Sequence, residues 1–294
     1  MCGIAGIFLK DPELEPKLGH LLAAMLGTLC DRGPDSAGFA VYGDATPDHR
    51  KLTLRAPADF DFEKLLSALG SAVSAHQRHD THLVITVPAV RERAVVAAIG
   101  NAKGVKIVGG GRRMEIFKEV GRPDKVAARF ELDRMSGTHA IGHTRMATES
   151  AVTTEGAHPF TTGPDQCLVH NGSLSNHNAV RRKLAREGLS FETDNDSEVV
   201  AGFLTWKMQN GSSLQQAMEA SLEALDGFYT FVIGTESGFG VLRDPIACKP
   251  AVMAETDRWV AFGTEYRALV DLPGIEGAKV WEPEPAKAYL WERH

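Results

Sequence analysis

Six apolar or alternating runs, HAIGHTRMAT, QCLVHNGSL, GFYTFVIG, FGVLRDP, AVMAET and WVAFGTE, punctuate residues 139–265 and read as strands. Helical stretches near 175–187, 196–209 and 213–225 interrupt them, the last carrying Leu214, Met218, Leu222 and Leu225. Strands grouped before and after helices predict packed layers, two sheets with helices outside. The N-terminal end has the same character. CGIAGIFL reads as a first strand, and Leu18, Leu21, Leu22, Met25, Leu26 and Leu29 recur at helical spacing over residues 16–30. That helix ends at the turn-like segment DRGPDSAG, after which Phe39–Tyr42 returns as a strand. The expected class is α+β.

Residues 44–135 break this pattern and read as a small α/β insertion. Strands are expected near 51–56, 82–87, 105–109 and 113–120, with helices near 61–76, 89–100 and 123–131. The run Gly109-Gly110-Gly111 predicts a hairpin turn; no helix pattern follows it directly, as a phosphate loop would need. The whole chain, 1–294, is expected to be one domain carrying this insertion.

A net charge of -6 without a Lys/Arg run argues against a nucleic-acid surface. No apolar stretch approaches the roughly 18 residues needed to span a bilayer. The opening MCGIAGIFLK lacks a basic leader, so a cytoplasmic protein is expected. The four cysteines, Cys2, Cys30, Cys167 and Cys248, form no CxxC pair, which suits a reducing compartment. Cys30, Cys167 and Cys248 read as small core residues.

Cys2 is different, because removal of Met1 would expose it as an N-terminal residue. Such a cysteine carries a thiol nucleophile beside an α-amine, whose ordinary pKa of roughly 7.7–8.0 lets it take the thiol proton. The plain alternative is that Cys2 merely fills the start of a strand. GHTRMAT places Arg145 at a strand end between Thr144 and Thr148, where a guanidinium suits a bidentate grip on a carboxylate. HNGSL puts Asn171 and Gly172 together, a side-chain amide and a close backbone N–H able to face an oxyanion. TDNDSE supplies Asp194 and Asp196 at a helix start, one to cap the helix and the other to face a cation. Singly, each cluster reads better as turn chemistry with a cap. Together, a carboxylate clamp, an ammonium partner, an oxyanion hole and a thiol match glutamine.

In order, MCGIAG, DRGPDSAG, GHTRMAT, HPF, HNG, DSE, RDP-x-x-x-KP and FGTEYRAL resemble the motifs of class II glutamine amidotransferases over about residues 1–43 and 138–270. The resemblance implies a four-layer αββα sandwich of the N-terminal nucleophile hydrolase type. It implies Cys2 as nucleophile, Arg145 on the glutamine carboxylate, Asn171 with Gly172 as oxyanion hole, and Asp196 on the α-ammonium. Arg32 would support the nucleophile and its pocket, and Thr148 would also bind substrate. Glu149 stands where several relatives have histidine or glycine, within an implied mobile glutamine loop at about 146–155. Ala247 in RDPIACKP stands where glycine is frequent. The insertion is long for the family.

Only about 25 residues follow FGTEYRAL, too few for a domain that would use ammonia. The chain therefore looks like a separate amidotransferase subunit of a glutamate synthase-like complex, such as N-methylglutamate synthase. The resemblance implies no cofactor on this chain, with FMN on a synthase-like partner and a β-helical subunit as a further partner. A glutamine-binding subunit without catalysis is the alternative.

Histidine patterns are read as decoys. His139 and His143 lie on one strand, roughly 13 Å apart at strand rise, too far for one ion. His76, His79 and His82 straddle an expected helix-to-strand junction, and Cys167 and His170 should point to opposite faces of a strand. The four tryptophans, Trp206, Trp259, Trp281 and Trp291, are scattered and read as core or interface residues.

Overall fold

A computed structural model describes residues 2–147 and 152–293. In chain order its elements are β1 (Gly3–Leu9), α1 (Leu18–Thr28), β2 (Ser36–Tyr42), β3 (His49–Arg55), α2 (Phe62–Leu69), β4 (Ala75–His79), β5 (His82–Pro88) and α3 (Glu92–Gly100). There follow β6 (Lys106–Gly111), β7 (Met114–Val120), α4 (Pro123–Arg129), β8 (His139–Arg145), β9 (Phe160–Gly163), β10 (Gln166–Leu174), α5 (His177–Arg186) and α6 (Asp196–Gln209). The last are α7 (Leu214–Ala224), β11 (Gly227–Gly234), β12 (Gly238–Arg243), β13 (Val252–Glu255), β14 (Trp259–Gly263), β15 (Lys279–Trp281) and β16 (Ala288–Glu292).

The first strand decides the layering. Every residue of β1 is buried, as expected of a central strand covered on both faces. Side chains alternate, so Ala5, Ile7 and Leu9 join one core while Ile4 and Phe8 join another. The first core lies between the large sheet, ordered β15-β13-β14-β1-β8-β2-β7, and the outer helices α1 and α4. The second lies between that sheet and a five-stranded one ordered β16-β12-β11-β10-β9, where Val169, Val232 and Val241 meet Ile4 and Ile141. A third core fills the space between the five-stranded sheet and α5–α7. The outcome is helix, sheet, sheet, helix. The α+β class and the sandwich of the N-terminal nucleophile type expected from the sequence are both present.

Helix α1 shows why the layers hold. Leu18, Leu22, Met25 and Leu26 are almost fully buried against the sheet and α4. Truncating a leucine so placed costs on the order of 2–5 kcal/mol. Helix α6 is buried along Ser197–Thr205, because it runs between β9 and β10 on one side and α5 and α7 on the other.

The insertion contains a four-stranded sheet ordered β4-β5-β3-β6, packed on α2 and α3 through Leu52, Leu54, Phe62, Leu83, Val95 and Ile99. Three sequence expectations change here. The helix expected over 61–76 stops at Leu69, and Ala75–His79 forms strand β4 paired with β5. The Gly109–Gly111 run is the end of β6, paired with β3, and no hairpin turn. Strand β7 pairs with β2 of the large sheet and α4 packs on the same sheet, so residues 114–129 belong to the main body. Long-range pairing overrode local pattern in each case. The two parts are pinned by Asp165, whose carboxylate accepts the backbone N–H groups of Arg112, Arg113 and Met114.

One smaller correction and one explanation concern single residues. Cys248 is exposed, whereas Cys30 and Cys167 are buried as expected. Ala247 has φ 52, a left-handed conformation that explains the preference for glycine there; the Asp244 carboxylate and Arg243 hold the turn through its backbone.

Candidate active site

The start of β1 runs between β14 and β8, which fixes Cys2 at the end of a central strand. The N–H of Gly3 donates to Thr144 Oγ1 at 3.1 Å and that of Ile4 to Thr264 Oγ1 at 2.8 Å. The Cys2 carbonyl accepts two further bonds, from Arg32 Nε at 3.1 Å and from Asn171 Nδ2 at 3.3 Å. Its Sγ, half-buried, lies 3.9 Å from the Met146 carbonyl. The backbone on which the thiol sits is therefore held from four chain segments.

Arg145 ends β8 and is aimed by the turn after α1. Gly33 packs on the backbone of Thr144 and Arg145, where an added Cβ would lie 2.5 Å from Arg145 N. Only glycine fits that approach. The next residues lock it, with Asp35 N donating to Arg145 O and Ala147 N donating to Asp35 Oδ2. This is the physical content of the DRGPDS segment.

A cavity of about 310 Å³ opens beside Cys2. Arg145, Gly172, Ser173, Asp194 and Asp196 are among its lining residues, together with His158, His170 and His177. Gly172 cannot carry a side chain, since a Cβ would meet the Phe228 carbonyl at 2.1 Å and His170 Nε2 at 2.7 Å. Asp196 opens α6, where a carboxylate suits the positive end of the helix. The N-cap is Asn195, whose Oδ1 accepts the Ser197 N–H at 2.9 Å. Asp196 itself accepts the Leu174 N–H at 3.0 Å. Burial raises its pKa, but His170 and the Leu174 N–H outweigh that and hold it at about 2. The carboxylate is anionic throughout the neutral range.

Beneath the cavity lies a buried histidine cluster. The rings of His143 and His158 are tilted by 32° to one another, with centroids 3.9 Å apart. Burial holds His143 at about 3 and His158 well below its ordinary value, so both are neutral. Among the described residues, no group of histidine, cysteine, aspartate and glutamate could hold a metal ion.

Residues 143–271 match the family described as a glutamine amidotransferase domain. The chain is 61% identical over 298 residues to a glutamine amidotransferase-like protein, GlxB, of Rhizobium meliloti, covering 99% of this chain and 98% of that one. The chain belongs to the class II glutamine amidotransferases. A putative glutamine amidotransferase of Methanothermobacter thermautotrophicus is 34% identical over 99% of this chain and 100% of its own. In fold, the chain is similar to the glutamine phosphoribosylpyrophosphate amidotransferase of B. subtilis, with TM-score 0.64 and 21% identity over 99% of this chain and 47% of that one.

Of the residues singled out in this amidotransferase from its sequence, Cys2, Arg145, Gly172 and Asp196 line one cavity, and Asn171 touches Cys2. Asp194 lines it as well. Arg32 stands apart: it bonds the Cys2 carbonyl and pairs with Glu265. Thr148 lies outside the described residues. Sequence reasoning missed Glu265, although it sits in the quoted FGTEYRAL motif. It also assigned nothing to His143, His158 and Ser197, and set His170 aside. The signal was present in the motifs HPF, HNG and DSE. What was missing was their contact, which joins residues 27 and 39 positions apart.

Proposed function

We propose that this chain hydrolyses L-glutamine to glutamate and ammonia through a thioester on Cys2. The observation that carries the reading is the single cavity that Cys2 shares with Arg145 and Asp196. A cation for the α-carboxylate and an anion for the α-ammonium stand beside a thiol for the side-chain amide. A simple acyl amide would use neither charge.

The steps follow from these groups. Once Met1 is removed, the Cys2 α-amine takes the thiol proton and the sulfur attacks the amide carbon. The oxyanion that forms faces the Asn171 amide, which has a second N–H beyond the one given to the Cys2 carbonyl, and the backbone at Gly172. The ammonium returns its proton as the carbon–nitrogen bond breaks, and ammonia leaves. Water then cleaves the thioester, yielding glutamate and the free thiol. Arg32, bridging Glu265 and the Cys2 carbonyl, is assigned the support of the nucleophile and not substrate contact.

The ammonia is proposed to pass to a glutamate synthase-like partner, N-methylglutamate synthase being one such system. That partner would comprise an FMN-dependent synthase-like subunit and a β-helical subunit, with no cofactor on this chain. A reducing cytoplasm is the proposed compartment, in keeping with four cysteines outside disulfides. No helix among the described residues is long and apolar enough to cross a membrane.

Intact mass should show loss of Met1, and 6-diazo-5-oxo-norleucine should add once, on Cys2, with glutamine protecting. In the assembled complex, Cys2→Ala should abolish glutamine-dependent activity and spare ammonia-dependent activity. Absence of labelling in the complex despite a free Cys2 amine would overturn the hydrolytic reading. Equal loss of both activities would overturn the transfer of ammonia to a partner.

A further inference from the structure

Ser197 is nearly inaccessible to solvent, yet its hydroxyl has three polar neighbours on two different elements and the loop between β8 and β9. His158 Nε2 lies 2.8 Å from Ser197 Oγ, and His170 Nδ1 lies 2.9 Å from it. Asp196 Oδ1 lies 3.3 Å from the same oxygen and 3.6 Å from His170 Nδ1. Asp196 Oδ2 is taken by the Leu174 N–H.

The protons can be assigned from the network. A serine oxygen accepts two hydrogen bonds and donates one. His158 is neutral and has one N–H. Its Nδ1 is buried without a partner among the described residues, so the hydrogen belongs on Nε2 and is donated to Ser197. His170 offers its Nδ1–H to the second lone pair. Among the described residues, Asp196 Oδ1 is the acceptor left for the hydroxyl hydrogen. Two donors thus reach the carboxylate, the Leu174 N–H at Oδ2 and the Ser197 hydroxyl at Oδ1, and two imidazoles orient the second.

We propose that Ser197 is a positioning residue for the substrate's α-ammonium: its hydroxyl, oriented by His158 and His170, fixes the Asp196 carboxylate toward the cavity. This rests on the reading of that cavity as a glutamine site. The carboxylate would be ionised at neutral pH in any case, so the device acts on its direction and not on its charge. HPF, HNG and DSE supply its members, which gives the three motifs one common task.

The test separates the ammonium from the rest of the substrate. Calorimetric Kd and steady-state kinetics are measured on the full chain, in its complex if the isolated chain is inactive. The ligands are L-glutamine and 4-carbamoylbutanoate, which is glutamine without its amino group. Ser197→Ala should raise Kd and KM for glutamine by about tenfold, the scale of one charge-assisted hydrogen bond, with kcat within about threefold. Its affinity for 4-carbamoylbutanoate should match that of the unaltered protein. His158→Gln keeps an N–H at the Nε2 position and should bind glutamine within about threefold of the unaltered chain. Equal weakening of both ligands would show a general structural defect, and unchanged glutamine affinity would show that Ser197 orients nothing; either overturns the proposal. An unaltered protein that binds glutamine without hydrolysing it would overturn the hydrolytic reading, while the calorimetry would still decide the role of Ser197. Failure to bind glutamine at all would overturn both.

Discussion

Two cavities lie on either side of one wall, and the larger is chemically the quieter. The one beside Cys2 measures about 310 Å³, and a second, bordered by the insertion, about 450 Å³. Thr154, Glu155, Thr193 and Glu198 face the larger, while His158 and Asp194–Ser197 face the smaller. In the larger, the charges answer one another. Arg55 pairs with Glu155 at 2.6 Å and Lys106 with Glu192 at 3.1 Å. Glu198 accepts the N–H groups of Glu192 and Thr193. Lys118, pushed down to about 8 by burial, is held by the carbonyls of Glu155, Ala157 and Pro159. The Arg55–Glu155 and Lys106–Glu192 pairs fasten the insertion to the two segments that lead into the Cys2 site. In the smaller cavity a thiol, an arginine and an anionic carboxylate converge on one space. Volume alone would have chosen the wrong cavity; convergent chemistry chooses the one beside Cys2.

The comparison predicts unequal sensitivity to substitution. Asn171→Ala should lower kcat for glutamine by about 10²–10³, the usual effect of losing an oxyanion donor. A near-full rate in stopped assays of ammonia release would remove the smaller cavity's claim to that role. Asp196→Asn keeps the shape and loses the charge, so KM for glutamine should rise about 10–100-fold, with 4-carbamoylbutanoate unaffected. In contrast, Arg55→Ala, in the larger cavity, should leave glutamine turnover within about twofold. Its partly exposed ion pair is worth at most about 1 kcal/mol, so the thermal midpoint should fall only slightly. A large loss of turnover would show that the insertion governs the site next to it.

Acid stability tests what lies beneath both regions. Burial holds His82 of the insertion, His139 and His143 each at about 3. Unfolded, each would titrate near 6.5 and bind a proton that the folded chain refuses. Their stabilising effect is therefore complete above pH 6.5 and is lost as pH falls toward 3. Each contributes a slope of up to about 1.4 kcal/mol per pH unit in that window. Urea midpoints should be level between pH 7 and 8 and fall between pH 6.5 and 5. A flat profile to pH 5 would mean that these imidazoles are hydrated or charged in the fold.

Much of the fold was legible because periodicity is local. The apolar spacing of α1 and α7 and the runs that became β1, β8, β10 and β11 follow from neighbouring residues. The errors fell where partners are distant. Ala75–His79 became a strand because β5 offered it an edge, and Gly109–Gly111 stayed extended because β3 did. The edge strands β9, β15 and β16 are short and carry little pattern of their own, so none was foreseen.

The same division holds at the site. The sequence by itself determined which chemistry is present: a cysteine at position 2, an arginine at a strand end, an Asn-Gly pair and an aspartate at a helix start. Residue type and short spacing suffice for that, since they set what each side chain can donate, accept or attack. Only the tertiary structure decided that Arg32, paired with Glu265, donates to the Cys2 carbonyl, and that His158, His170 and Ser197 meet beside Asp196. Those contacts join segments that chain distance separates and packing of the two sheets brings together, and no local pattern encodes them.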